Sequence, residues 1–270
     1  MRQPTPTRRS IVLAVVTAAV LFSGACAETD EPPGTTPASP SSDMAASAGA
    51  TATSSPRPSI TTPADSSIAS QSPASPSFAP GADLTLEELL DLLATAPEQR
   101  AGYDRSLFRH WVDADGDGCN TRREVLITEA VVPPLVGGGC SLSGGSWVSL
   151  YDGLAFIDPA GMDIDHVVAL GEAWDSGAYA WNDDRRERFA NDLDVAWALI
   201  AVSAASNRSK SDKDPADWVP PDSADLCPFL SAWIAVKVRW QLAIDEREQS
   251  ALASLVIACP DGRMPVVVAL

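Results

Sequence analysis

Cationic side chains are scarce in this chain. Nineteen Lys and Arg residues stand against 36 Asp and Glu, for a net charge of −17. Phosphate binding is driven by cationic groups and counterion release, so this balance counts against a nucleic-acid partner unless basic residues cluster locally. Histidine occurs only twice, at His110 and His166. Long apolar runs are also missing: the stretch Ile11 to Phe22 is short of the roughly 20 residues a membrane span needs. From Glu28 to Ala82 large aliphatic and aromatic residues are almost absent. Such a Ser/Thr/Pro/Ala-rich segment cannot bury enough apolar surface to offset its ordering entropy, so it reads as a disordered stalk.

What precedes the stalk reads as an export signal spanning residues 1–27: Arg2, Arg8 and Arg9, the apolar run, then small residues. Ser23-Gly24-Ala25-Cys26 has the form of a lipobox, with Cys26 lipidated, whereas Ala25-Cys26-Ala27 suits ordinary signal peptidase. The cysteine count favours the lipobox. Five cysteines leave one over in an oxidising compartment, and setting Cys26 aside leaves Cys119, Cys140, Cys227 and Cys259 to pair. Three connectivities fit, and joining sequence neighbours (Cys119–Cys140, Cys227–Cys259) is the simplest. The expected location is extracytoplasmic, as a cell-surface lipoprotein or a freely secreted protein, with membrane contact only through the signal or a lipid.

Residues 83–270 then form one domain, long enough to bury a core. Thr85 and Glu88 have capping-box spacing ahead of Leu86, Leu89, Leu90 and Leu93, which predicts a helix ending before Pro97. Counted from Asp113, oxygen-bearing side chains fall at positions 1, 3, 5, 9 and 12 (Asp113, Asp115, Asp117, Thr121, Glu124), with Gly118 at position 6. That is the ligand spacing of a calcium-binding EF-hand loop. Asn120 at position 8, where an aliphatic residue is usual, departs from it. His110 has no partner motif and reads as a packed or surface histidine.

Ser146 to Gly153 reads as a strand and tight turn, and Asp163 to Leu170 as a second strand closing a hairpin-like pair with it. Asp194 to Val202 reads as strand or buried helix, and a polar helix carrying Asn207 and Lys210 begins near Ser203. Phe229, Trp233, Val236 and Trp240 mark one helix of a C-terminal helical hairpin, and Leu252, Leu255 and Val256 the next. An antiparallel pair places Cys227 near Cys259.

In chain order come Asp165-His166, Asn191-Asp192-Leu193 and Asn207-Arg208-Ser209-Lys210. With Tyr151-Asp152-Gly153, Glu172-Ala173-Trp174 and Gly118-Cys119-Asn120-Thr121-Arg122, they make the chain resemble the HNH endonucleases of exported actinobacterial proteins, related to the GmrSD C-terminal nuclease group. The resemblance implies an α+β fold with a ββα-metal (HNH) core, flanking helices and the C-terminal hairpin, stapled by disulfides. It implies a metal-dependent endonuclease acting on DNA. His166 is expected as general base, its unperturbed pKa lying near neutrality. Asn191 is expected to orient the imidazole, Asp165 and Asn207 to hold Mg²⁺ or Mn²⁺, and Lys210 to hold a phosphate oxygen. Arg185, Arg186, Arg188, Arg208, Lys210 and Lys213 supply the local basic cluster. Departures from the wider pattern are Asn207 in the third position and the lack of zinc-knuckle cysteines. Two other readings stand beside this one: a non-catalytic, calcium-binding surface lipoprotein, and a nuclease acting on RNA.

Overall fold

A computed structural model describes residues 81–269. The expected signal segment, the Cys26 lipobox and nearly all of the stalk lie outside the described residues. Gly81 N–H and Ala82 C=O pair with the backbone of Val266. These bonds extend a short ladder in which β1 (Asp83–Thr85) runs antiparallel to β8 (Arg263–Pro265), joining the two ends of the described chain. The capping box forms as expected, but the helix after it is brief: α1 spans Leu86–Leu90, with Thr85 as its cap and Glu88 closing the box.

Helix α2 (Thr121–Thr128), capped by Asn120, leads into two small antiparallel pairs. These are β2 (Leu135–Val136) with β3 (Leu142–Ser143), and β4 (Trp147–Val148) with β5 (Ala155–Phe156). The next strand, β6, covers Met162–His166 and stops there, because α3 (Leu170–Asp175) begins four residues on. After α4 (Asp183–Ala190) comes β7 (Leu199–Ser203), followed at once by α5 (Ala204–Lys210) with Ser203 as its cap.

The expected hairpin between Ser146–Gly153 and Asp163–Leu170 does not form. Trp147–Val148 turns back on Ala155–Phe156, and β6 pairs with the distant β7, from Met162↔Ser203 to His166↔Leu199. Burial explains the choice. Every residue of β7 is buried, so it needs a partner covered on both faces, and β6 offers four buried residues of five.

On one face of this pair Met162, Ile164, Leu199 and Ala201 pack with Val125, Leu126 and Trp147 in a small core. On the other face lies α5. The larger core gathers around α6 (Leu226–Trp240), whose Phe229, Leu230, Trp233, Ile234, Val236 and Trp240 are buried, and α7 (Glu246–Leu255), with Leu252 fully enclosed. Each such side chain contributes roughly 1.5–3 kcal/mol of transfer free energy. Disulfides join Cys119 to Cys140 and Cys227 to Cys259. The architecture is mixed α and β, built from small two-stranded sheets, helices and two disulfides. Among the described residues no helix is long and apolar enough to cross a membrane.

Candidate active site

Side chains alternate across a strand, so β6 sends Asp163 and Asp165 toward α5 and His166 the other way. Asp165 is buried and fully engaged. Its Oδ2 accepts from the Tyr151 hydroxyl at 2.7 Å, and Lys210 Nζ lies 2.9 Å from Oδ2 and 3.2 Å from Oδ1. Burial pushes the carboxyl's pKa up, while the Lys210 ammonium and the Tyr151 hydroxyl pull it back. Burial and the adjoining carboxylate hold Tyr151 well above the usual phenol range, so it stays a neutral donor. Lys210 also donates to the carbonyl of His166 at 3.0 Å and has no exposed surface. The expected phosphate contact through Lys210 is therefore not what the geometry provides: its ammonium locks α5 to β6.

His166 is 5 % exposed. Its Nε2 lies 2.9 Å from the carbonyl of Ala190, which can only accept, so Nε2 carries the hydrogen and Nδ1 keeps the lone pair. Desolvation lowers its pKa to about 3, with Arg105, His110 and Lys210 adding to the effect against the Ala190 bond. The imidazole is therefore neutral throughout the physiological range, and the near-neutral pKa expected of a general base is not what this buried site provides: His166 is a weaker base here than a free imidazole. Trp111 lies over it with ring centroids 5.5 Å apart, and Phe189 and His110 stand at 6.4 Å. The chain's two histidines are thus neighbours, although the sequence around His110 gives no hint of it.

Trp111 holds a φ of 59°, a strained conformation for a bulky side chain. The clamp that keeps it there includes Asn191. Asn191 Oδ1 accepts from Val112 N–H at 3.1 Å and lies 2.7 Å from Thr121 Oγ1. Its Nδ2 donates to the carbonyls of Arg109 and Glu187. Asn191 is spent on these bonds, and the imidazole is oriented instead by the carbonyl of the preceding residue. Next to it, buried Asp192 takes a bidentate contact from Arg239 and one from the Trp240 indole.

Asn207 projects from α5 beside Asp163, its Nδ2 donating to Asp163 Oδ2 at 3.1 Å. Among the described residues nothing donates to its Oδ1. The expected basic cluster thins out. Lys210 is buried, and Arg186 is enclosed by contacts to Asp183 and the carbonyls of Ala178 and Trp181. Arg185 stacks on Trp181 and binds the carbonyl of Trp240. Arg188, Arg208 and Lys213 stay exposed.

In the acidic loop, Asp113, Asp115 and Asp117 bring carboxylate oxygens within 4.8 Å of one another, and Glu124 approaches Asp117 equally closely. Burial and these three carboxylates raise the pKa of Glu124. Thr121, expected as a further ligand, instead places its hydroxyl 3.0 Å from the carbonyl of Val112 and 2.7 Å from Asn191. The loop runs directly out of the Trp111 segment that covers His166.

Residues 142–255 match the family model for the C-terminal domain of GmrSD restriction endonucleases. The chain is also similar to an uncharacterized secreted protein of Arthroderma benhamiae. The two are 40 % identical over 176 residues, covering 65 % of this chain and 85 % of that protein. No solved structure matches the chain.

Proposed function

We propose, from the premise that this chain belongs to the family of that secreted protein and carries a GmrSD restriction endonuclease C-terminal domain, that it is an exported HNH endonuclease hydrolysing DNA. The family implies a nuclease and a nucleic-acid substrate. One observation supports the finer reading above all: the order β6, β7, α5 in this structure. It sets a histidine with a free Nδ1 at the end of a strand whose other face meets the asparagine-bearing helix.

In this reading His166 takes a proton from the attacking water at Nδ1, while the Ala190 carbonyl fixes the ring and its tautomer. Asp165 and Asn207 are the residues that would hold Mg²⁺ or Mn²⁺. Both offer oxygen, the donor a hard cation takes, but Lys210 Nζ lies against both oxygens of Asp165 and would have to give way for a cation to enter. Asn207 Oδ1 has no donor among the described residues, and Asp165 Oδ1 meets only Lys210, at 3.2 Å. When bound, the cation would polarise the scissile phosphate and stabilise the departing oxyanion. Lys210 holds Asp165 and the β6 backbone in place, and Arg208, exposed beside Asn207, is a side chain that can meet a phosphate. The Ala190 bond replaces the role first expected of Asn191.

The crowded carboxylates of Asp113, Asp115 and Asp117 favour a second reading, calcium binding by the loop, either alongside the nuclease or alone in a non-catalytic surface protein. Export fits both, given the disulfides and the secreted relative. Incubating supercoiled plasmid, and separately RNA, with the protein and Mg²⁺, Mn²⁺ or Ca²⁺ separates these readings. Nicking of plasmid with Mg²⁺ or Mn²⁺ is expected. Cleavage of RNA alone would move the substrate, and no cleavage of either would leave the calcium-binding protein.

A further inference from the structure

Asp163 lies two residues before Asp165 on β6 and so shares its face, pointing at α5. It is half-exposed, and its Oδ2 accepts the hydrogen bond from Asn207 Nδ2 at 3.1 Å. A carboxylate offers no donor here, so the side of the amide that faces it must be the NH₂ group. This contact settles which end of Asn207 points where, a matter otherwise free to flip. The amide oxygen is left on the opposite side, with no donor among the described residues.

We propose that Asp163 is a positioning residue: it holds the Asn207 amide so that Oδ1, rather than Nδ2, faces the divalent cation. Outer carboxylates that orient a metal-binding side chain are commonly worth 10- to 100-fold in metal affinity. Asp163 itself is no ligand in this assignment, because its charge serves the amide. The division of labour on this strand face is then complete. Tyr151 and Lys210 fix Asp165, and Asp163 fixes Asn207. The inference rests on the nuclease reading for the cation's place beside Asn207.

The test is Mn²⁺ binding, followed by titration calorimetry and by the electron paramagnetic resonance of free Mn²⁺. All proteins carry Asp115→Asn to weaken binding at the acidic loop. Asp163→Ala is expected to weaken Mn²⁺ binding by about 10- to 100-fold. Asp163→Asn, whose amide oxygen can still accept from Asn207, should stay within about threefold of the parent. In an Asn207→Ala background, Asp163→Ala should add nothing further. In plasmid cleavage, Asp163→Ala should raise the Mn²⁺ concentration for half-maximal rate while the rate at saturating Mn²⁺ recovers. Three results would overturn the assignment: Asp163→Ala binding Mn²⁺ like the parent, Asp163→Asn failing as badly as Asp163→Ala, or additive losses in the double variant. A parent that neither binds Mn²⁺ nor cleaves plasmid removes the nuclease reading itself, and this assignment with it.

Discussion

Lys210 Nζ lies 2.9 Å from Asp165 Oδ2, with the two side chains 0 % and 6 % exposed. The sequence places Lys210 where a phosphate-binding lysine is expected, yet its charge is directed inward. Removing one partner of such a pair strands the other charge in the interior, which costs about 3–5 kcal/mol. Lys210→Ala should therefore lower the urea midpoint by that equivalent. A stability within about 1 kcal/mol of the parent would mean that the ammonium faces solvent after all.

Glu129 should tie stability to pH. Its carboxylate accepts from Ala201 N–H of β7 at 2.7 Å, and burial raises its pKa from 4.5 to about 7. The folded state thus holds this proton between those values while the unfolded chain has lost it. The stabilisation is complete below pH 4.5 and is lost as pH rises through about 7. Glu129→Gln keeps an acceptor for Ala201 without the titration. It should gain on the order of 3 kcal/mol over the parent at pH 8 and little at pH 4.5. Parallel pH profiles for the two proteins would show that Glu129 titrates normally.

Calcium should act on stability through the acidic loop, independently of His166. If Asp113, Asp115, Asp117 and Glu124 bind it, EDTA lowers the Tm of a His166→Ala protein and Ca²⁺ restores it. At a hundred times Kd the gain is about 2.7 kcal/mol. Asp115→Asn should blunt the response, and a Tm indifferent to millimolar Ca²⁺ reduces the loop to a solvated turn.

Each disulfide closes a short stretch, 21 residues apart for Cys119–Cys140 and 32 for Cys227–Cys259. Replacing both cysteines of either bridge by serine should cost roughly 3 kcal/mol in denaturation midpoints. The Cys119–Cys140 bridge joins the middle of the acidic loop to the segment before β3, so its loss should also weaken any Ca²⁺ response. An unchanged response would uncouple the two.

Local patterns were legible where local chemistry decides them. The Thr85–Glu88 box, the start of α5 at Ser203, the helical stripe from Phe229 to Trp240 and the neighbouring cysteine pairs need only nearby residues. Pairing over distance was not legible: β6 skips the adjacent Trp147 strand for β7, because burial on both faces outweighs proximity. The site divides in the same way. Asp165, His166 and Asn207 stand out in sequence, but what holds each does not. Tyr151, the Ala190 carbonyl and Asp163 are set by tertiary packing, with only the i, i+2 spacing of Asp163 and Asp165 as a clue. Asn191 and Lys210 look reactive in sequence, whereas the structure spends them on clamps.

If His166 is the base, the rate of plasmid nicking by His166→Ala shows it. The substitution removes a base without disturbing the Asp165–Lys210 pair, so circular dichroism and the melting curve should confirm a folded protein. With saturating Mg²⁺ or Mn²⁺, the rate should fall by about 10²- to 10⁴-fold. A folded His166→Ala protein that nicks plasmid as fast as its parent would mean that His166 is not the base.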